Sequence, residues 1–266
     1  MKKTLLLGLL LLAAASESVE AKKYKPAPRT AKNIVIAHRG YWNTPGAFEN
    51  SVKAIENAMN FGIYGSEFDI NFTSDDSIVV VHGSRHPVVK EVVIQKTPYE
   101  KVRNTLLGNG EPVPTLREYL LAGLSDPKTQ YILEIKKHGT PERELEIVDK
   151  TMAMIKELGL EKRVEYISFS WNVCQAIRKA DPKAAVYYLN GEKTPAELKD
   201  AGMTGLDYSL KAINEHPEWV KEAHDLGLKV NVWTVNEVED MRSMLDLGAD
   251  FITTNNPVEL KALIGK

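Results

Sequence analysis

The chain has 266 residues, 43% apolar and 26% charged, a balance that excludes disordered, collagenous and coiled-coil chains. A formal charge of −2, from 34 Lys and Arg against 36 Asp and Glu, lacks the basic excess of a nucleic-acid binder. The single cysteine, Cys174, excludes an intrachain disulfide and a cysteine-built zinc site, so a metal would need oxygen or imidazole ligands.

Lys2 and Lys3 precede an apolar run from Leu5 to Ala15, the pattern of a secretory signal peptide. Cleavage is expected after Ala15 or Ala21, so 1–21 is read as the signal peptide and the protein as periplasmic or secreted. The run is short for a transmembrane span, and no cysteine follows it for a lipid anchor. No stable membrane anchor is expected after cleavage; an uncleaved N-terminal anchor is the competing reading. Residues 22–32, KKYKPAPRTAK, read as a linker, and 33–266 as one domain, because no Gly/Ser-rich segment divides them.

Short β-branched runs then alternate with amphipathic segments. The expected strands are Ile34–Ala37, Ser66–Thr73, Tyr131–Ile135, Val164–Phe169, Ala185–Leu189, Gly205–Tyr208, Leu228–Trp233 and Phe251–Thr253. Helices are expected over Ser51–Phe61, capped by Asn50 and ended by Gly62, from about Thr115, and over Glu142–Leu158 and Asn172–Ala180. Pro195–Ala201, Pro217–Leu226 and Glu237–Leu247 follow, the last two ending at Gly227 and Gly248. Eight strands with intervening helices predict an α/β fold, a (β/α)8 TIM barrel. An open doubly wound sheet is the alternative, because periodicity does not report closure.

One insertion breaks the alternation. Ser74–Ser77 is a turn signal, and Ile78–His82 reads as a second strand forming a hairpin on strand two. With a four-residue loop, Thr73 pairs with Ile78 and Asp69 with His82. Residues 83–113 then form a short rim insertion.

Active-site groups of such barrels stand at the C-terminal ends of the strands. Strand one ends in His38-Arg39-Gly40, strand two carries Glu67 and Asp69, and strand three carries Glu134 and Lys136. Residues two apart on a strand share a face. Phe68 and Ile70 take the helix-facing side, so Glu67 and Asp69 point into the barrel mouth, where a cation is needed between them. Three carboxylates without soft ligands suit a hard divalent cation, Mg²⁺ or Ca²⁺. Two histidines suit acid–base work at neutral pH, Arg39 a bidentate oxyanion contact, and Lys136 a point charge. Together these groups describe hydrolysis of a phosphate ester.

In these residues the sequence resembles the glycerophosphodiester phosphodiesterase family, within the phospholipase C-like phosphodiesterases. The matching pieces are IAHRG (36–40), FENS (48–51), GSEFDI (65–70), IVVVH (78–82), PVPTLREYL (112–120), ILEIK (132–136), VNVWTVN (230–236) and ITTNNP (252–257). The resemblance implies a (β/α)8 barrel that hydrolyses a small-molecule glycerophosphodiester to glycerol 3-phosphate and an alcohol. It implies His38 and His82 as the acid/base pair, Glu67, Asp69 and Glu134 as ligands of one divalent cation, and Arg39 and Lys136 as phosphate binders. Glu49 falls on the family's EN motif and Trp233 on its substrate-side tryptophan. A glycerol hydroxyl is the implied nucleophile, giving a cyclic phosphate that water opens; which histidine is acid and which is base stays open. His82 is followed by Gly83 where the family usually has aspartate, and the threonine- and arginine-rich stretch that commonly follows is replaced by SRHPVVKEVVIQK. The alternatives are a related phosphodiesterase, inositol-releasing or phospholipase D-like, and a non-catalytic phosphodiester-binding homologue.

The remaining candidates read as structure. His86 and His138 are expected at the surface, His216 and His224 on a solvated helix region, and Cys174 in a core. Trp171, Trp219, Tyr187 and Tyr188 read as packing residues.

Overall fold

The computed structural model describes residues 34–265; the expected signal peptide (1–21) and linker (22–32) lie outside the described residues. In chain order the described elements are β1 (Val35–Ala37), α1 (Val52–Phe61), β2 (Gly65–Phe72), β3 (Ile78–Val80), α2 (Tyr99–Asn104), α3 (Leu116–Ala122), β4 (Gln130–Ile135), α4 (Pro141–Glu157), β5 (Val164–Ser168) and α5 (Trp171–Ala180). They continue with β6 (Ala185–Tyr188), α6 (Pro195–Asp200), β7 (Gly205–Ser209), α7 (Leu210–Glu215), α8 (Glu218–Asp225), β8 (Lys229–Trp233), α9 (Val238–Leu247), β9 (Phe251–Thr254) and α10 (Pro257–Ile264).

All strands except β3 pair in parallel, and β1 pairs with both β9 and β2. That double pairing closes the ring, so the sheet is a (β/α)8 barrel and not an open doubly wound sheet. The eight expected strands are the eight barrel strands, each within about two residues of its expected ends. Alternation splits their side chains. Phe68, Ile70, Leu133 and Ile135 pack outward under the helices, while Ile36, Ile132, Ile167, Tyr187 and Phe251 fill the barrel interior. Each such fully buried side chain contributes about 1.5–3 kcal/mol relative to exposure.

The helices follow from apolar spacing and capping. α1 buries Ala54, Ile55, Ala58 and Met59 on one face and stops at Gly62, whose φ is 67°. Its N-cap is Ser51, whose hydroxyl accepts from the Ala54 N–H, and not the expected Asn50. Asn50 lies in the left-handed region, φ 61°, and sends its side chain elsewhere. α3 starts in a full capping box between Thr115 and Glu118. α7 and α10 were not anticipated. α7 begins directly on the last residue of β7, with Ser209 serving as both strand end and cap.

The hairpin forms, but its register differs by one from the expectation. Phe72, not Thr73, pairs with Ile78, and Ile70 pairs with Val80. The Thr73 N–H donates to Ser77 O, the Thr73 hydroxyl accepts from Ser77 N–H, and Asp76 takes φ 65°. The loop is therefore the three residues 74–76, closed by a left-handed residue, a common hairpin form. Asp69 lies opposite Val81, whose N–H donates to Asp69 O. β3 ends at Val80, so His82 leaves the ladder and is free to turn toward the mouth. Residues 83–113 pack on a satellite core of Val79, Val81, Val92, Ile94, Val102, Leu107 and Val113 beside the barrel rim. No helix among the described residues is long and apolar enough to cross a membrane.

Candidate active site

The turn after β1 is locked onto its neighbours. The Arg39 N–H donates to Glu67 Oε2 at 2.7 Å and the Gly40 N–H to Glu67 O at 2.9 Å. Gly40 takes φ 79°, and a Cβ there would lie 2.7 Å from the Ala54 Cβ, so only glycine lets the turn sit on α1. This places His38 and Arg39 over the C-terminal mouth of the barrel.

β2 and β4 pair with Asp69 opposite Glu134. Glu67, Asp69 and Glu134 are all buried, and one oxygen from each lies within 4.8 Å of the others. Burial, then the neighbouring carboxylates, raise Glu67 well above the usual carboxylate range and push Glu134 up to about 8. Asp69 behaves oppositely. Burial opposes its charge, but Lys136, His82 and Asn50 outweigh it and hold the group well below that range. A cation was expected between Glu67 and Asp69; Lys136 instead bridges Asp69 and Glu134, its Nζ 2.8 Å from Asp69 Oδ1 and 2.7 Å from Glu134 Oε1. One ammonium against three buried carboxylates leaves the cluster short of positive charge. The donor set is oxygen only, so the triad fits a hard divalent cation.

Arg39 Nη1 donates to Glu49, and its Nε is buried without a partner. Burial opposes the guanidinium charge, but Asp69, Glu49 and Glu67 outweigh it. His38 Nδ1 meets Asn255 Oδ1 at 2.8 Å; an amide oxygen only accepts, so this contact assigns the proton to Nδ1 and leaves Nε2 with a lone pair. Burial, then Arg39, lowers the His38 pKa. Burial brings His82 down to about 4, with Lys136 and Arg39 acting in the same direction against Asp69. Burial thus favours the neutral form of both rings. Trp233 Nε1 donates to Asp207 O at 2.8 Å, and its ring meets Phe169 edge-on at 5.5 Å.

Every expected site residue therefore stands at one mouth. His38, Arg39, Glu67, His82, Glu134, Lys136 and Trp233 line a cavity of about 500 Å³. Asp69 lies beneath Lys136, and Glu49 lies behind Arg39. A second cavity of about 510 Å³ adjoins under the insertion, sharing His82, Glu134, Lys136 and Phe169 and adding Asn71, Ser84, Gln95 and Lys137.

Two histidines expected at the surface are buried instead, because each supplies a bond that the backbone lacks. His86 Nδ1 accepts from the Val88 and Val89 N–H groups and folds the insertion turn. His138 Nε2 accepts from the Phe72 N–H, and its Nδ1 donates to Lys136 O, tying β2 to the end of β4. His224 is half-buried against Asp250, whereas His216 is exposed and stacks on Trp219.

Three residues of the site escaped the sequence reading. Asn50 Nδ2 donates to Asp69 Oδ2 at 2.9 Å, and its Oδ1 accepts the Asp69 N–H at 3.1 Å. Asn255 fixes the His38 tautomer. Asp207 faces the cavity from β7, and the alternation of Leu206 and Tyr208 toward the helices was the signal that placed it inside.

Comparison with known proteins follows the same residues. The model of the glycerophosphoryl diester phosphodiesterase family matches residues 38–259. A glycerophosphodiester phosphodiesterase of Caldanaerobacter subterraneus subsp. tengcongensis is 30% identical over 88% of this chain and 99% of its own. The crystal structure of one from Parabacteroides distasonis superposes with a TM-score of 0.85 at 42% identity, covering 88% of this chain and 97% of that one. An Oleispira antarctica phosphodiesterase, solved with the product sn-glycerol-3-phosphate, shares the fold at a TM-score of 0.76 and 21% identity, over 88% of this chain and 97% of that one. With the barrel closed and the acidic triad, the basic pair and both histidines gathered at its mouth, the chain belongs to the glycerophosphoryl diester phosphodiesterase family and is a phosphoric diester hydrolase.

Proposed function

We propose that this protein hydrolyses glycerophosphodiesters to glycerol 3-phosphate and an alcohol, using one divalent cation, Mg²⁺ or Ca²⁺, held by Glu67, Asp69 and Glu134. The observation that carries this reading is the convergence of the three carboxylates with Lys136, Arg39 and two histidines on one cavity. The bound cation would offset the diester charge and polarise the phosphorus–oxygen bonds. Arg39 lines the cavity and offers its guanidinium to a phosphate oxygen, and Glu49 fixes its orientation. Lys136 adds a fixed positive charge.

A diester has two arms, and two cavities meet at Lys136 and Glu134. His38 borders only the inner cavity, and its bare Nε2 accepts the proton of the attacking glycerol hydroxyl. His82 borders both cavities and delivers a proton to the oxygen of the departing alcohol. The negative phosphate, once bound, offsets Lys136 and Arg39 and favours protonated His82. Trp233 and Phe169 wall the inner cavity. The alcohol leaves through the rim cavity under residues 83–113. A Cβ at Gly83 would lie 3.2 Å from Arg85 O, so a side chain there would crowd the turn that leads into the insertion. The region 1–21 is proposed as an export signal that places the enzyme in the periplasm or outside the cell.

The test is product analysis on glycerophosphocholine, glycerophosphoinositol and intact phospholipid. Glycerol 3-phosphate with free alcohol is expected. Inositol phosphate, or phosphatidate from intact lipid, would redirect the reading to a related phosphodiesterase. Binding without turnover would make it a non-catalytic homologue.

A further inference from the structure

Asp207 has no part in the chemistry above. It is 2% exposed and stands on β7, inside the barrel. Its carboxylate receives a single bond among the described residues, from Asn231 Nδ2 to Oδ1 at 2.9 Å. Asn231 is itself held by Thr253 Oγ1 at 2.9 Å. No cation among the described residues pairs with Asp207, and burial pushes its carboxyl up to about 7. Burying a carboxylate with one amide partner is costly, and an apolar residue of similar volume would fill the position at less cost. The adjoining interior shows this alternative, because Ile167 and Leu189 line the same cavity. The second oxygen of Asp207 therefore faces the cavity without a protein partner. It is an acceptor on the cavity that His38, Arg39 and Glu67 also line.

We infer that Asp207 is a specificity-determining residue that accepts a hydrogen bond from the distal hydroxyl of the substrate's glycerol arm. Asn231 and Thr253 hold the carboxylate in place. The inference rests on the phosphodiesterase reading of the site. The inner cavity is enclosed by the barrel, which suits the constant glycerol arm, whereas the rim cavity is built partly from the insertion. Ile167, Leu189 and Phe169 offer the glycerol carbons an apolar wall, so Asp207 supplies the polar contact at the far end. A site built to bond a hydroxyl discriminates strongly against an analogue lacking it, because its buried polar group is then left unpaired.

The test compares a glycerophosphodiester with the same diester built on 1,2-propanediol, which keeps the hydroxyl next to the ester carbon and lacks the distal one. The parent protein should prefer the glycerol diester by about 10- to 100-fold in kcat/KM, the range of a hydrogen bond to a charged group. In Asp207→Leu, and in Asp207→Ala should the leucine variant fail to fold, that preference should fall to within about threefold of unity. Thermal unfolding of each variant runs alongside. A preference kept in the variants, or a proportional loss on both substrates, overturns the inference alone. Failure of the parent to hydrolyse either diester overturns the phosphodiesterase reading and the inference with it.

Discussion

Asn50→Ala removes both bonds that Asn50 makes to Asp69, leaving its carboxylate only the contact with Lys136. One is the Nδ2–H donated to Oδ2 at 2.9 Å, the other the Asp69 N–H donated to Oδ1 at 3.1 Å. Both residues are buried, so water does not replace the lost partners. A hydrogen bond to an ionised group contributes about 1.5–3 kcal/mol, and an N–H left buried and unpaired costs about 1–3 kcal/mol. Asn50 also lies at φ 61°, a region asparagine tolerates and alanine enters at a cost of about 1–2 kcal/mol. These terms overlap, and a loss of about 3 kcal/mol or more is expected from urea unfolding in the presence of chelator. Asn50→Gly relieves the backbone term but not the bonds, so it should unfold about 1 kcal/mol later than the alanine variant. Asp69 would lose the group that orients it, and the cation concentration giving half-maximal hydrolysis should rise about 10- to 100-fold in both variants. Stabilities within about 0.5 kcal/mol of the parent, together with an unchanged cation requirement, would refute the role of Asn50 as a positioning residue.

Asp250 links stability to pH. Burial opposes its charge, but bonds from His224, Lys229 and the Val230 N–H outweigh it and hold the carboxyl below its ordinary range. A carboxyl depressed in the folded state stabilises above its unfolded pKa, and that stabilisation is lost as pH falls through the folded value. Asp250→Asn should thus cost about 1–2 kcal/mol at pH 7, and the gap to the parent should close progressively below about pH 4; a gap independent of pH contradicts this. Cys174 is buried and its thiol is pushed up by that burial, so a thiol reagent should label it only on unfolding; rapid labelling of the folded protein would show the core misassigned. Adding Mg²⁺ or Ca²⁺ to chelated protein should raise Tm, because the cation binds the folded triad only, and Glu67→Gln should reduce the rise. An equal rise in that variant would place the cation elsewhere.

The barrel was legible because its strands are short β-branched runs and its helices carry a clear apolar stripe. The inward aim of Glu67 and Asp69 followed from period two, since Phe68 and Ile70 had to face the helices. Three things were not legible, for different reasons. Closure depends on β1 meeting both β2 and β9, a contact between chain ends that no local pattern reports. The hairpin register turned on whether Asp76 or Ser77 ended the loop, and the Thr73 hydroxyl with the left-handed Asp76 decided it. Asn50 read as a helix cap, and Asn255 as one residue of a strand end with no partner named. Asn50 was displaced from the cap by Ser51, and its partner Asp69 lies 19 residues away. Asn255 meets His38 across 217 residues, through closure alone. His86 and His138 show the same limit. A loop histidine reads as solvated until the backbone N–H groups needing an acceptor are seen.

The measurement that bears most directly on the chemistry is release of glycerol 3-phosphate from a glycerophosphodiester panel after chelation and after adding back Mg²⁺ or Ca²⁺. It is run with the parent and with His82→Ala, whose fold is checked by its melting transition. The expected result is activity lost to chelator, restored by a divalent cation, and reduced by about 10²- to 10⁴-fold in the variant, the usual share of a general acid or base. Activity indifferent to chelation, or undiminished in His82→Ala, would contradict a reaction run by the triad and the two histidines at this mouth.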